Sequence, residues 1–249
     1  MKKVYTRPKY LKPVANHYCP GCGHSIVHRL VAEVFEEMDI GERAIGVAPA
    51  GCAVLAYNYF DVDFVEGAHG RGCAIATGLK RRVPDAVVFS YQGDGDLAAI
   101  GTAETIHAAA RGENITIVFV NNGIYGMTGG QMAPTTILGM KATTAPFGRE
   151  AKREGYNLDI THLVAEIEGT AYAARGLITS PKEIRKSKKL IADAFQCQLD
   201  NRGLSIVELV SPCPTNWGMQ PLASVKWIEE TFTKHYTPGV LVERRPVSG

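Results

Sequence analysis

Short, almost wholly apolar runs alternate along this chain with segments that have the length and spacing of helices. The runs at residues 86–90 and 115–120 are typical of strands buried on both faces of a sheet. Residues 97–111 lie between them and predict a helix, so the three segments together predict a βαβ unit with parallel strands. We therefore predict an α/β fold whose parallel sheet carries helices on both faces.

The rest of the chain follows the same alternation. Apolar residues recur on one face at helical spacing in residues 25–38, which predicts a core-facing helix. Residues 135–156 show no clear period and predict a long loop, and loops of that length are usually functional. Further strands are predicted at 44–48, 62–66 and 204–210, and further helices at 73–82, 160–166, 180–199 and 222–236.

Length and charge narrow the class of protein. We predict that residues 1–249 form a single domain, with an extended arm at 1–17 and a C-terminal helix and tail at 220–249. The 27 basic and 25 acidic residues leave a net charge of +2, which is too balanced for a nucleic-acid-binding surface or a polybasic membrane anchor. Because apolar runs stay well below the roughly 20 residues of a membrane helix and no signal core is visible, we expect a soluble, cytoplasmic protein without nucleic-acid or membrane partners.

Polar, glycine-rich turns follow two of the predicted strands. Gly93-Asp94-Gly95-Asp96 comes after the first run, and Asn121-Asn122 ends the second. The carboxyl ends of parallel strands meet at one edge of the sheet, where ligands bind in such folds. A carboxylate and an amide oxygen suit Mg²⁺ carrying a diphosphate, while glycines and a helix N-terminus let backbone N–H groups approach phosphate oxygens. Taken alone, Gly-Asp-Gly is equally a turn signal.

The two turns together resemble the thiamine diphosphate motif, in which Gly-Asp-Gly is followed by Asn-Asn at the end of a later strand. With the segment Tyr-Gly-Met-Thr-Gly-Gly-Gln-Met-Ala-Pro-Thr-Thr at 125–136, the chain resembles the β subunit of a 2-oxoacid:ferredoxin oxidoreductase. The resemblance runs from Tyr18 to Met219. It implies a thiamine diphosphate-binding fold.

The resemblance also implies roles for individual residues. Asp94 and Asn122 match the side-chain ligands of Mg²⁺, and the backbone carbonyl of Ile124 matches a third ligand. Asp96 has a second interpretation as the N-cap of the following helix, and His69 has one as a turn histidine bonded to backbone. The predicted cofactor-binding residues are His24, His69, Gly93, Asp94, Gly95, Asp96, Asn122, Ile124, Tyr125, Met127 and Thr128, of which His24, Met127 and Thr128 are the predicted catalytic residues.

Six cysteines without an export signal argue for reduced thiols or metal ligands rather than a disulfide framework. The spacing Cys19-x-x-Cys22 is shared by zinc sites, iron–sulfur sites and redox dithiols. The resemblance favours iron–sulfur, because relatives add one cysteine after the next strand and another in Ser-Pro-Cys, which Cys52 and Cys213 match. These four residues are thus expected to bind one [4Fe–4S] cluster. Two cysteines remain outside the pattern and are expected to be packing or surface thiols: Cys73 and Cys197.

An activity follows from the resemblance as well: oxidative decarboxylation of a 2-oxoacid to acyl-CoA and CO₂, with coenzyme A as acyl acceptor and electrons passed to ferredoxin. In thiamine enzymes a glutamate on a separate domain contacts the pyrimidine, and this chain has no room for that domain. We therefore expect an α subunit that carries the pyrimidine-binding domain, and an isolated chain that is inactive. Further expected partners are γ and ferredoxin-like δ subunits.

The substrate prediction depends on Leu55. Relatives that act on 2-oxoglutarate carry a basic residue three positions after the cysteine that matches Cys52, where this chain has Leu55. A distal carboxylate buried without a partner is costly, so an uncharged substrate of the 2-oxoisovalerate type is favoured. Leu55 and Met127 are candidates for the acyl pocket, and each is equally plausible as a core residue.

Three alternatives stay open. The first is a 2-oxoglutarate enzyme in which the α subunit supplies the missing cation. The second is a non-redox thiamine diphosphate decarboxylase whose cysteines are incidental or bind zinc. The third is a nucleotide-binding regulatory subunit, although the chain lacks a Gly-x-Gly-x-x-Gly after its first strand.

Overall fold

The computed structural model describes residues 6–244 and is built around one large sheet. Nine strands occur in the described residues: β1 (Ala44–Ala48), β2 (Asp63–Glu66), β3 (Val87–Gly93), β4 (Thr116–Asn121), β5 (Ile124–Tyr125), β6 (Gln131–Met132), β7 (Thr170–Leu177), β8 (Leu204–Val210) and β9 (Gly239–Glu243). Seven of them form a sheet with the order β2-β1-β3-β4-β8-β7-β9, and β5 and β6 form a separate antiparallel pair. All pairs in the large sheet are parallel except β7 with β9. The predicted α/β fold is confirmed.

Helices cover both faces of this sheet. The described α-helices are α1 (His24–Glu37), α2 (Gly72–Arg82), α3 (Thr102–Ala110), α4 (Ala151–Glu154), α5 (Ile160–Ala165), α6 (Pro181–Leu199), α7 (Pro214–Trp217) and α8 (Pro221–Glu230). Residues of α1 and α6 share one hydrophobic core with the sheet, and residues of α2, α3 and α5 share another on the opposite face. Because strand side chains alternate, Phe89 belongs to the first core and Val88 to the second.

The structure corrects several predicted boundaries. The predicted helix at 97–111 is split at Gly101 into a π-helical turn, Asp96–Ile100, and helix α3. A side chain at Gly101 would meet the carbonyl oxygens of Asp96 and Gly70 at 2.6 and 2.8 Å, so the break brings these backbones together. The predicted strand at 86–90 extends to Gly93, which carries the chain directly to the polar turn.

The loop and tail predictions were also incomplete. The segment 135–156 contains the short helix α4, and buried Arg149 fastens it by donating to the carbonyls of Pro134 and Thr136 at 2.8 and 2.7 Å. The predicted final helix at 222–236 ends at Glu230, and strand β9 follows it in what was predicted as a tail. The last residues of that tail, 245–249, lie outside the described residues.

The predicted arm lies partly within the described residues. Its residues 1–5 fall outside them, whereas Tyr10 is buried and Leu11 forms a β-bridge with Phe60. The Lys12 N–H donates to the Tyr59 carbonyl at 2.7 Å, so this part of the arm packs against its own chain. Among residues 6–244, no helix has both the length and the apolar character needed to cross a membrane.

Candidate cofactor site and cysteine pocket

A cavity of about 270 Å³ opens at the carboxyl ends of β1, β3 and β4. All eleven residues predicted to bind the cofactor line it. They come from the segments after the neighbouring strands β3 and β4, from the N-terminus of α1 and from the turn before α2, so the topology of the sheet brings them together. Five further lining residues were not predicted as cofactor-binding: Ala50, Gly51, Cys52, Ala53 and Gly126.

Asp94 lies in the wall of this cavity and is only 4% exposed. Its carboxylate accepts hydrogen bonds from the backbone N–H groups of Gly95 at 2.8 Å and Ile124 at 3.0 Å, and from the Thr135 hydroxyl at 3.2 Å. Burial raises the pKa of Asp94 to about 6, although these hydrogen bonds act in the opposite direction. The donors are all neutral, so the buried carboxylate has no positive partner among residues 6–244, and a bound cation would provide one.

The two asparagines of the turn after β4 lie in different environments. Asn122 faces the cavity, and its side-chain oxygen accepts from the Ile124 N–H at 3.1 Å. Asn121 is fully buried and lies behind the turn. Between them and β5, Gly123 has φ +68°, and a side chain there would contact the Phe232 ring at 3.0 Å. The turn therefore requires glycine at this position.

The N-cap interpretation of Asp96 is wrong. Its buried carboxylate accepts from the Gly70 N–H at 2.7 Å and interacts with His69 Nδ1 at 2.5 Å and with the Gln92 amide. It therefore ties the turn before α2 to the turn after β3. His69 is therefore hydrogen-bonded to the Asp96 side chain, whereas the interpretation as a turn histidine predicted a bond to the backbone.

His24 begins α1 and stands at the inner end of the cavity, 3% exposed. Its Nδ1 lies 2.8 Å from the Tyr91 hydroxyl, and its ring stacks on Tyr18 with centroids 5.1 Å apart. Burial lowers the pKa of His24 to about 4, which keeps the imidazole neutral at physiological pH. Met127 and Thr128 also line the cavity but are exposed, Met127 by 50%.

A second, smaller cavity of about 120 Å³ contains the four predicted cluster ligands, Cys19, Cys22, Cys52 and Cys213. They come from the turn before α1, the 3₁₀-helix Gly51–Asn58 and the N-terminus of α7. Cys73 and Cys197 lie elsewhere and are both buried, which excludes the surface alternative for them.

The spacing of the thiols bears on what could fit between them. A tetrahedral zinc site places sulfurs about 3.8 Å apart, since each Zn–S bond is about 2.3 Å. Within residues 6–244, no group of three or more Cys, His, Asp or Glu side chains is close enough to hold a single metal ion. A side chain at Gly126 would lie 3.4 Å from Cys52 Sγ and 3.7 Å from Cys213 Sγ, so glycine keeps the space between these sulfurs open. Four thiols that line one pocket are the donor set that a [4Fe–4S] cluster takes.

Burial disfavours thiolates in this pocket. Burial raises the pKa of Cys22 to about 12 and that of Cys52 to about 11, and each neighbouring thiolate adds repulsion. Burial also raises the pKa of Cys213, whose sulfur accepts a hydrogen bond from the Asn216 amide at 3.3 Å. Four thiolates would need positive charge between them, which an iron–sulfur cluster carries.

The two cavities adjoin each other. His24, Cys52, Asn122 and Gly126 line both of them. A group held by the four sulfurs would therefore lie next to a cofactor held by the Asp94 and Asn122 turns.

Sequence reasoning missed several residues that support these sites. Thr135 donates to Asp94, Tyr91 contacts His24, and Asn216 donates to both Cys213 and the Gly126 carbonyl. Thr135 and Asn216 stand inside segments that carry the resemblance, so their neighbourhood in sequence was the available signal. Tyr91 gave none, because it reads as one more apolar residue of a buried strand.

Comparisons with known proteins agree with this site. The family model described as the C-terminal TPP binding domain of thiamine pyrophosphate enzymes matches residues 40–209. A ketoisovalerate oxidoreductase subunit, VorA, from Methanothermobacter thermautotrophicus is 46% identical over 94% of this chain but 49% of its own length. The chain thus spans about half the length of that relative.

Two other relatives are matched over most of their length. A 2-oxoglutarate synthase subunit, KorB, from Methanocaldococcus jannaschii is 37% identical, with 86% of this chain and 77% of KorB covered. A solved 2-oxoglutarate:ferredoxin oxidoreductase from Magnetococcus marinus, with 2-oxoglutarate, coenzyme A and succinyl-CoA bound, superposes with a TM-score of 0.81 at 27% identity over 98% of this chain and 87% of that one. The chain therefore belongs to the thiamine pyrophosphate enzyme family, in the group of 2-oxoacid oxidoreductase subunits.

Proposed function

We propose that this chain is the thiamine diphosphate-binding β subunit of an enzyme that oxidises an uncharged 2-oxoacid, of the 2-oxoisovalerate type, to acyl-CoA and CO₂. The electrons leave through a [4Fe–4S] cluster in the cysteine pocket and pass to ferredoxin. The observation that carries this proposal is the shared wall between the two cavities, formed by His24, Cys52, Asn122 and Gly126. A decarboxylating cofactor and a redox group would then be neighbours.

In this proposal the chain holds the cofactor through the turns after β3 and β4. Asp94, Asn122 and the Ile124 carbonyl would bind Mg²⁺, and the backbone of the Gly93–Asp96 turn would approach the diphosphate. When bound, thiamine diphosphate supplies the carbanion-stabilising chemistry that removal of CO₂ from a 2-oxoacid requires. The neutral imidazole of His24 can accept or donate one hydrogen bond at the inner end of the cavity, and the Tyr91 contact fixes its orientation.

The cysteine pocket favours this function over a non-redox decarboxylase. Four thiols around one cavity beside the cofactor site have no task in simple decarboxylation. When bound, a [4Fe–4S] cluster supplies one-electron redox chemistry. Asn216 and the prolines on either side of Cys213 would keep its sulfur in place during electron transfer.

Further partners belong to the same proposal. The glutamate that contacts the pyrimidine in thiamine enzymes would come from an α subunit, and γ and δ subunits together with ferredoxin would complete the electron path. The length of the VorA relative, about twice that of this chain, leaves room there for a second functional unit. We therefore expect turnover only from the assembled complex.

The substrate class is supported by the apolar lining near the cysteine pocket. Leu55 lines that pocket, and Ala50, Ala53 and Met127 line the cofactor cavity. Among the described residues, neither lysine nor arginine lines either cavity. The basic side chains there are histidines: His17, His24 and His69. The 2-oxoglutarate enzyme is the second candidate, and the match to KorB supports it.

The proposal is tested with the complex that copurifies with the full chain, isolated without oxygen. Reduction of ferredoxin is followed with thiamine diphosphate, Mg²⁺ and coenzyme A, using 2-oxoisovalerate and 2-oxoglutarate in parallel. We expect turnover that requires coenzyme A and prefers 2-oxoisovalerate. CO₂ release without any ferredoxin reduction would contradict the redox function, and a strong preference for 2-oxoglutarate would contradict the substrate class.

Leu55→Arg should change the substrate preference of this complex. A guanidinium near the acyl chain of the substrate would pair with the distal carboxylate of 2-oxoglutarate. 2-Oxoisovalerate has no such carboxylate and would gain no interaction. A hydrogen bond to a charged group contributes roughly 1.5–3 kcal/mol, so the kcat/KM ratio of 2-oxoglutarate to 2-oxoisovalerate should rise about 10- to 100-fold. Leu163→Arg, on the partly exposed helix α5, serves as the matched control and should leave the ratio unchanged. An unchanged ratio in Leu55→Arg would remove Leu55 from the acyl pocket.

A further inference from the structure

A line of buried polar side chains crosses the sheet from β7 to the end of β4. The Arg175 Nε donates to Glu208 Oε2 at 2.8 Å, and Glu208 Oε1 accepts from the Asn121 side-chain amide at 2.7 Å. The three side chains are 2%, 1% and 0% exposed. None of them lines the cofactor cavity or the cysteine pocket.

Strand register explains how these residues meet. Glu208 pairs with Phe119 of β4 on one side and with Arg175 of β7 on the other. Asn121 follows Phe119 by two positions and so points to the same face of the sheet. On that face the neighbours Phe119 and Ile206 belong to a hydrophobic core. A charged pair is unusual among such residues.

A buried ion pair is weak evidence of a role in stability. Replacing a buried ion pair with apolar residues of similar volume is often neutral or stabilising, because removing two charges from water costs about as much as their attraction returns. The pair is better explained by a role in positioning the Asn121 side chain. Held by Glu208, the amide of Asn121 presents its oxygen to the Gly123 N–H at 3.0 Å, inside the turn that carries Asn122 and Ile124.

A second path leads from Arg175 to the same place. Its guanidinium lies over the Tyr236 ring, 5.1 Å from the centroid, and the Tyr236 hydroxyl donates to the Thr135 carbonyl at 2.7 Å. The Thr135 hydroxyl in turn donates to Asp94. The first path therefore ends at Gly123, between two residues assigned to the Mg²⁺ site, and the second ends at Asp94, which is itself assigned to it.

We propose that Arg175 and Glu208 are positioning residues for the Mg²⁺–diphosphate site, acting through Asn121 on the 121–124 turn. The inference rests on the proposed function, since it presumes that this turn binds the cofactor. Groups that orient metal ligands typically change metal affinity about 10- to 100-fold when they are removed. The pair would thus set cofactor affinity and contribute little to folding.

The test is a double variant, Arg175→Met/Glu208→Leu, in the full chain together with the subunits that copurify with it. Apolar replacement of both charges leaves no fully buried ion unpaired, since Asp159, which also loses Arg175, is 30% exposed to solvent. The thermal unfolding midpoint without cofactor should therefore fall only slightly, by no more than in Asp159→Asn. The dissociation constants for Mg²⁺ and thiamine diphosphate, measured by calorimetry, should rise about 10- to 100-fold. Glu208→Leu alone would leave Arg175 short of one partner and should unfold at a lower temperature than the double variant.

Asp159→Asn provides the matched control. Asp159 pairs with Arg175 Nη2 at 2.5 Å, whereas Glu208, the residue that leads to Asn121, pairs with Arg175 Nε. It should affect unfolding but leave cofactor affinity at the wild-type value. Wild-type affinity in the double variant, with wild type itself binding the cofactor, would overturn the positioning role alone. Absence of cofactor binding in wild type would overturn the proposed function and this inference with it.

Discussion

Asp94→Asn should abolish tight binding of Mg²⁺ and thiamine diphosphate while leaving the fold intact. Asparagine has the same shape and keeps an oxygen that can accept from the Ile124 N–H, so the backbone of both turns retains its main contact. It removes the negative charge that Mg²⁺ requires of a ligand in this position. The affinity should therefore fall by more than the roughly 10- to 100-fold that loss of an orienting group costs.

Thermal unfolding with and without ligand measures this effect directly. Ligand binding to the folded state raises the unfolding midpoint in proportion to the logarithm of ligand concentration over the dissociation constant. Wild type should show a clear rise with saturating Mg²⁺ and thiamine diphosphate, and Asp94→Asn should show none. Asp85→Asn, an exposed turn position, is the matched control and should behave as wild type. An undiminished rise in Asp94→Asn would exclude Asp94 as a ligand of the metal.

The second large effect concerns the cysteine pocket. Cys213→Ala removes one of the four thiols, and Cys213 lines that pocket without lining the cofactor cavity. Protein purified without oxygen should lose its visible absorption and its iron and sulfide, which we expect at about four each per chain in wild type. Ferredoxin reduction should be lost with them, whereas affinity for Mg²⁺ and thiamine diphosphate should change little.

Cys197→Ala is the control for Cys213→Ala, because Cys197 is buried in α6 and outside the four-thiol pocket. It should retain iron, sulfide and activity. Full iron content in Cys213→Ala, or zinc in place of iron in wild type, would contradict the assignment of this pocket to an iron–sulfur cluster.

The residues that face the cofactor cavity could be predicted because they directly follow buried strands. Asp94 and Asn122 stand at the ends of β3 and β4, and parallel strands that are neighbours bring their carboxyl ends together without further information. The cysteines are a different case. Cys19 and Cys213 are separated by most of the chain, so no local pattern predicts that they lie close together. That prediction depended on the family resemblance.

The supporting residues could not be predicted because their roles depend on register between distant strands. Asn121 and Glu208 are 87 positions apart and meet only because β4 and β8 pair in one particular alignment. For Asp96, in contrast, a local pattern predicted the wrong role. An acidic residue before a helix predicts an N-cap, but the π-helical turn leaves its carboxylate free to accept from Gly70 instead.

Strand β9 escaped prediction for a simpler reason. Three of its five residues, Gly239–Glu243, are exposed, and the strand pairs with β7 at the edge of the described sheet. Its apolar run, residues 240–242, is only three residues long, which is shorter than the runs of four or more that predict a buried strand.

The central claim is that a Mg²⁺–diphosphate site and a four-thiol cluster site share a wall in this chain. A crystal structure of protein purified without oxygen and supplied with Mg²⁺ and thiamine diphosphate, with anomalous data at the iron edge, tests it most directly. The account predicts an iron signal among Cys19, Cys22, Cys52 and Cys213, and diphosphate density against Asp94 and Asn122 across the wall that His24 and Gly126 help to form. Absence of iron from the four thiols, or cofactor density away from those two turns, would contradict it.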